Sequence, residues 1–238
     1  MRPAAAAEFS SLSALQAAAL RDPAAMDRLL LDLTTRATPL FSGPAFYRAF
    51  REHVVPWLRT YPHFKVWVAG CGNAAEAFSL AIVLCEEGLQ DRCRLYVTEA
   101  CEAAIRCAQA ETWPRSTLKR AVQNYRRAGG QQAFTRYCTL QRDSFTLAAP
   151  LRKNLFFAAH NPTTDASFNE FHVIVCREAM GDFDSILQAQ VHELLFASLV
   201  PRGVLLLDSA EQLQSTVHRS DYERFCPEAF PAAVRKTW

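Results

Sequence analysis

Two glycines and a carboxylate carry the first chemical signal. Gly70 and Gly72 flank Cys71 directly after the apolar run FKVWVA at 64–69, and a helical pattern at 74–87 begins behind them. A glycine turn between strand and helix lets a ligand approach the backbone closely, beside the point where open α/β sheets bind nucleotides. Glu99 closes the next β-prone run, CRLYVT at 93–98, and lies 99 − 70 = 29 residues after Gly70. Nucleotide-binding folds place an acid there to accept hydrogen bonds from the ribose hydroxyls. The pattern predicts a nucleotide-type site. It does not by itself separate a methyl donor from a dinucleotide, and the competing reading of Glu99 is an acid that merely faces solvent at a strand end.

The cysteines point to no comparable centre. All eight (71, 85, 93, 101, 107, 138, 176 and 226) fall in apolar or helical stretches, without a C-x-x-C pair or a histidine spacing suited to zinc. They are expected to be buried free thiols, with no metal.

The elements that position these residues follow from periodicity. Apolar side chains recur at helical spacing over 12–34, broken at Asp22-Pro23, which predicts two short helices. A further helix is expected over 46–58, ended by Thr60-Tyr61-Pro62. Strand then alternates with helix: 64–69 and 74–87, then 93–98 and 102–111, with a basic helix or turn over 115–127 closed by Gly129-Gly130. Such alternation predicts a parallel sheet. Residues 131–153 interrupt it with short β-prone pieces, read as a small antiparallel insertion, and strands at 154–159, 171–176 and 203–207 with a helix over 185–199 resume it. The pattern leaves residues 212–238 undecided between an added strand and an irregular tail. The fold class is therefore α/β, three-layered and Rossmann-like, with a short helical extension over 1–62 and an α/β domain over 63–238.

The run FYRAFREHVVPWLRTYPHFKVWVAGCGNAAEAFSLAI at 46–82 resembles the entry to the donor-binding domain of CheR-type chemotaxis-receptor methyltransferases, typically W-x-A-G-C-S-T-G-E-E-x-Y-S-L-A. NYRRAGG, HNPTTDASFNEFHVIVCREAMGDFD and LFASLVPRGVLLLDSAEQL agree with that family in order and spacing, so the likeness runs from about Thr38 to Leu213. The resemblance implies a methyltransferase fold, S-adenosylmethionine as cofactor, and methyl transfer to receptor glutamate carboxylates in bacterial signalling. It further implies a cofactor site made by Thr38, the turn of Ala69, Gly70 and Gly72, Glu76, Glu99, Asn161, Pro162 and Glu178.

The departures are chemical. Thr38 matches the threonine of T-x-F-F-R, but Ser42 stands at its arginine. Ala74 and Ala75 replace Gly-Glu and leave Glu76 as the remaining acid, while Glu99 replaces an aspartate with a side chain one methylene longer. Asn161 matches the asparagine of His-Asn-Leu, but Pro162 replaces the leucine and removes a backbone donor. Where the family reads C-R-N-V-L-I-Y-F, Glu178 replaces the asparagine and Asp182 the tyrosine. Losing +1 at Ser42 and gaining −1 at Glu178 and at Asp182 changes the charge by −3, and the glutamate lost at Ala75 brings this to −2. Like charges about 4 Å apart repel by roughly 4 kcal/mol at an effective dielectric of about 20, so a carboxylate acceptor is expected to be poorly received. The cationic sulfonium is not repelled. Methyl transfer depends chiefly on orienting an existing nucleophile, so losing the arginine and tyrosine is expected to weaken transfer before it weakens cofactor binding. The expectation is a signalling protein with weakened or lost transfer that acts through protein contacts; the alternative is a working protein-carboxylate methyltransferase.

Composition supplies the remaining expectations. Half of the 238 residues are apolar and the net charge is only +2, which gives no argument for nucleic acid. No window approaches the roughly 18 uninterrupted apolar residues of a membrane span, so a cytoplasmic protein without membrane insertion is expected. Within 115–153, nine basic residues (115, 119, 120, 126, 127, 136, 142, 152, 153) face one acid, Asp143, an excess of 9 − 1 = +8. This stretch reads either as a solvated face or as a docking surface for an acidic signalling or chemoreceptor-like partner.

Overall fold

Phe64–Ala69 and Phe171–Cys176 are short runs rich in β-branched and aromatic residues, and they form adjacent central strands, β1 and β7. The computed structural model describes residues 11–22, 25–26, 29, 38–100, 102–110, 112–177, 179–181, 183–209, 213–214, 216–230 and 232–238. A seven-stranded sheet runs in the order β6-β2-β1-β7-β8-β10-β9, with β2 at Cys93–Glu99, β6 at Leu155–Ala159 and β8 at Leu199–Leu207. Those five strands are parallel; Ala233–Lys236 (β10) returns antiparallel to β8, and Tyr222–Arg224 (β9) pairs with β10. The tail that the pattern left undecided thus supplies two strands.

Both faces of the sheet are covered, which is why its central strands are nearly continuous apolar runs. On one face Val66, Val68, Val173 and Val175 pack with Phe78, Leu80 and Ile82 of the helix Ala75–Glu86. On the other, Trp67, Ile174 and Leu205 pack with Val191, Leu194 and Leu195 of the helix Ser185–Ala197. Trp67 is fully buried and its indole N–H donates to Thr98 Oγ1 at 2.9 Å. Truncation to alanine there costs about 3–5 kcal/mol.

In chain order, α1 is Leu12–Arg21, capped by the Ser11 side chain. The second predicted N-terminal helix falls largely outside the described residues. The third is α2, Pro44–Ala49, continuing through a π turn at Phe50–Val54 into α3, Val55–Leu58. Ala75–Glu86 is α4, Glu102–Gln109 α5, Leu118–Arg127 α6, Ala149–Arg152 α7 and Ser185–Ala197 α8. Asp184 caps α8, its carboxylate accepting from the Ile186 and Leu187 amides at 3.0 and 2.9 Å. The antiparallel insertion is a three-stranded sheet, β3 (Trp113–Pro114), β5 (Ser144–Leu147) and β4 (Cys138–Leu140), and its first strand precedes the predicted start at 131. Cys71, Cys93 and Cys176 are buried thiols as expected, whereas Cys107 is exposed.

Candidate functional site

Strand order places a switch point between β1 and β7, because β2 and β6 leave β1 on one side and β7 and β8 on the other. The turn after β1 sits at that point. Gly70 and Cys71 both donate their amides to Thr98 O at 3.0 Å, which joins the ends of β1 and β2. Gly70 has a φ of +72°, and a Cβ there would lie 2.4 Å from Ala179 Cβ, so conformation and space both demand glycine.

Glu99 faces this turn and is only 6% exposed. Its Oε2 accepts the Gly72 amide at 3.0 Å and its Oε1 the Ala100 amide at 2.9 Å. An ionised carboxylate has about four acceptor positions, so two remain after these amides have fixed its orientation. Next to it, the first residue beyond β6, His160, donates its amide to Glu99 O at 2.8 Å. The His160 ring is buried with Nε2 3.1 Å from Ala166 O and Nδ1 unpartnered.

A cavity of about 540 Å³ opens over these strand ends, within the roughly 300–1,000 Å³ of small-molecule sites. Of the residues singled out in the sequence, Thr38, Ser42, Gly70, Gly72, Glu76, Glu99, Asn161 and Pro162 line it. Ala69 lies buried in β1, one residue short of the lining. Glu178 and Asp182 fall outside the described residues.

Residues 38–42 are held over the cavity by three hydrogen bonds that no local pattern announces. Asn73 Nδ2 donates to Thr38 O at 2.8 Å, Ser79 Oγ accepts the Phe41 amide at 2.8 Å, and Asn124 Nδ2 donates to Leu40 O at 3.1 Å. Asn73, which stands in the glycine turn, is therefore a positioning residue. Arg177 was missed as well, although it lies inside the C-R-N segment. Its Nη1 donates to Glu76 Oε1 at 2.6 Å, its Nε is 3.4 Å from Asp208 Oδ1, and its guanidinium stacks 4.2 Å above the Phe46 ring. Burial opposes the Arg177 charge, but Glu76, Tyr47 and Asp208 together raise its pKa above the usual value. Gly43 leaves room for it, since a Cβ there would come within 3.1 Å of Nη2. A charge count made only from differences passed over this cation and over Asp208.

Residues 36–227 match the family described as CheR methyltransferase, SAM binding domain. The chain belongs to this family. S-adenosylmethionine is the cofactor of that domain, and the cavity fits it: Glu99 keeps acceptor positions for a diol, and the turn brings backbone close to a ligand. This CheR-type chain is 35% identical over 213 residues to Cher3 of Pseudomonas putida (strain KT2440), covering 90% of this chain and 78% of that one. It is 24% identical over 201 residues to the chemotaxis protein methyltransferase of Listeria monocytogenes, covering 81% and 71%. Among solved structures it is similar to the plantazolicin methyltransferase BpumL with bound SAH, at 14% identity and a TM-score of 0.44, covering 84% of this chain and 60% of that one. It is also similar to the N-methyltransferase NodS of Bradyrhizobium japonicum, at 16% identity and a TM-score of 0.40, covering 82% and 70%.

Proposed function

We propose that this CheR-type protein holds S-adenosylmethionine in the cavity over β1, β2 and β6, transfers methyl groups to carboxylates weakly or not at all, and signals through protein contacts. When bound, the cofactor supplies an electrophilic methyl group on a cationic sulphur. The protein's own tasks are to bind, orient and exclude water. Glu99 would accept from the ribose hydroxyls, the turn at Gly70 and Gly72 would pass beneath the nucleoside, and Thr38 and Glu76 would flank its amino-acid end. Asn161 and Pro162 would face the base, and Glu178 would join the site from the segment after β7.

The observation that carries the reduced transfer is that Ser42 lines the cavity where the family has an arginine, which leaves Arg177 to serve the site alone. Arg177 is the single cation lining the cavity among the described residues, and its Nη1 and Nε are directed at Glu76 and Asp208. A carboxylate acceptor would have to share that guanidinium with two existing anions, while Ser42 stands where the family has a second arginine. Sharing one cation among three carboxylates lowers the attraction available to each, and the repulsion between them opposes it further.

Titration calorimetry with S-adenosylmethionine and S-adenosylhomocysteine tests the binding half; absence of heat from folded protein would reject it. Ser42→Arg combined with Asp182→Tyr tests the other half and is expected to raise carboxylate methylation above that of the wild type. A wild type that already methylates receptor glutamates at a rate the double variant does not improve would favour the working enzyme. That second reading draws its support from Arg177, which still reaches the cavity, and from relatives that carry the name chemotaxis protein methyltransferase.

The acidic partner is proposed to be a signalling or chemoreceptor-like protein that meets the basic surface of 115–153. Apart from Arg152, which is half-buried against Phe78, the nine basic residues there are exposed. No described helix is long and apolar enough to cross a membrane.

A further inference from the structure

The two edges of the seven-stranded sheet are built differently. β9, at one end, is the three-residue strand Tyr222–Arg224, in which Glu223 and Arg224 are exposed. A short, charged edge resists pairing with a further strand. β6, at the other end, reads Leu-Phe-Phe-Ala-Ala over 155–159, with neither a charge nor a proline. Phe156 is 44% exposed there, although its ring stacks on Tyr96. Phe168 lies against the same tyrosine and is 39% exposed, so the open strand borders an aromatic patch.

The backbone shows which groups of β6 are open. Asn154 O accepts the Leu95 amide at 2.9 Å, and the His160 amide donates to Glu99 O at 2.8 Å, so both residues face β2. By the period of two, Phe156 and Ala158 face β2 as well, while Leu155, Phe157 and Ala159 direct their N–H and C=O groups away from the sheet. The next outward amide, that of Asn161, is taken by Asp165 Oδ2 at 2.8 Å. The open edge therefore ends at Ala159.

This edge is complementary to itself. A two-fold axis at Phe157 sets a second copy of β6 antiparallel to the first, with Phe157 opposite Phe157, Leu155 opposite Ala159 and Phe156 opposite Ala158. All the outward residues then fall at hydrogen-bonded positions, and every open N–H meets an open carbonyl of the other strand. Away from the axis a large side chain faces a small one on each face of the sheet. Charge agrees with this register. It brings Lys153, which is exposed, opposite the second copy's Asn161, where the Asp165 carboxylate is held. The axis generates that encounter twice.

We infer that β6 is the interface of a two-fold dimer, in which a second copy of this chain continues the sheet across the axis. The interface requires no ligand in the cavity and does not involve helix α6.

Sedimentation equilibrium of the full chain tests it, and wild type at tens of micromolar is expected to have the mass of a dimer. Ala159→Pro removes one outward N–H from each copy, a change that an edge strand facing solvent tolerates. It is expected to keep the melting temperature of a folded protein and to raise the dimer dissociation constant at least about tenfold, the effect of two lost hydrogen bonds whose carbonyls stay unpaired. Phe156→Lys, at an exposed position, places like charges on either side of the axis and is expected to leave monomer. Lys153→Glu is expected to weaken the dimer at low salt and to do so less as salt rises. Wild type that stays monomeric at several hundred micromolar overturns the inference and leaves the edge to another occupant. A dimer that neither Ala159→Pro nor Phe156→Lys weakens overturns it as well, because its contact then lies elsewhere.

Discussion

Replacing Glu99 by alanine removes the acceptor of two backbone amides and of the proposed diol contacts together. Hydrogen bonds to a charged group are worth about 1.5–3 kcal/mol each, so S-adenosylmethionine affinity is expected to fall at least about 100-fold in calorimetry; unchanged affinity would misplace the site. Gly70→Ala is expected to act on stability, because a Cβ would meet Ala179 and the φ of +72° disfavours any side chain. A loss of about 1–3 kcal/mol in a urea titration is the anticipated size. Of these two residues, Gly70 was legible as a turn glycine and Glu99 as a strand-end acid, since their chemistry is tied to neighbours in the chain. Arg177 and Asn73 were not read as site residues, because their partners lie far along the chain: Arg177 with Glu76 is 101 positions apart, Asn73 with Thr38 35.

At the scale of elements, central strands were legible where burial on both faces leaves an apolar run, as in β1, β2 and β7. The two-residue β3 and the antiparallel β9 and β10 were not. Their existence depends on a sheet edge built elsewhere, Phe145 for Trp113 and Leu205 for Val234, which periodicity within the segment cannot report. Helix α6 was legible as basic and amphipathic: Ala121 and Tyr125 are buried on one side while Lys119, Arg120, Arg126 and Arg127 are exposed. That separation of a packed face from a charged one suits docking. Arg126→Glu with Arg127→Glu reverses charge on the solvent side alone, so the fold should hold while capture of an acidic signalling partner weakens. The loss should shrink as salt rises, because exposed charges are screened within about 8–10 Å at physiological ionic strength. Partner capture that is unchanged at low salt would reject the basic face as the docking surface.

One polar network joins four segments that are distant in the chain, and its titration sets an alkaline limit on the stability of the molecule. Arg51, on the π turn, pairs with Glu86 at the end of α4 and, at 2.9 Å, with Glu87. The hydroxyls of Tyr125 on α6 and of Tyr137, just before β4, both donate to Glu86. The helical segment 44–58, α4, α6 and the antiparallel sheet thus share one carboxylate. Burial first, and then the hydrogen bond to Glu86, push the Tyr125 pKa up to about 12, and the same causes raise that of Tyr137. A tyrosine whose folded pKa exceeds its unfolded value of about 10 keeps its proton in the native state after the unfolded chain has lost it. Its contribution to stability is therefore complete below about pH 10 and is lost progressively as the pH rises toward 12. Buried thiols such as Cys71, Cys93 and Cys176 act in the same direction from a lower starting point, since burial raises their pKa values from 9.0. Comparison with Tyr125→Phe isolates the tyrosine. The variant should be less stable at pH 7, having lost a buried hydrogen bond, yet its urea midpoint should fall less steeply than that of the wild type between about pH 10 and 12. Parallel slopes would mean that Tyr125 ionises as freely in the native protein as in the unfolded chain, which its contact with a buried carboxylate forbids.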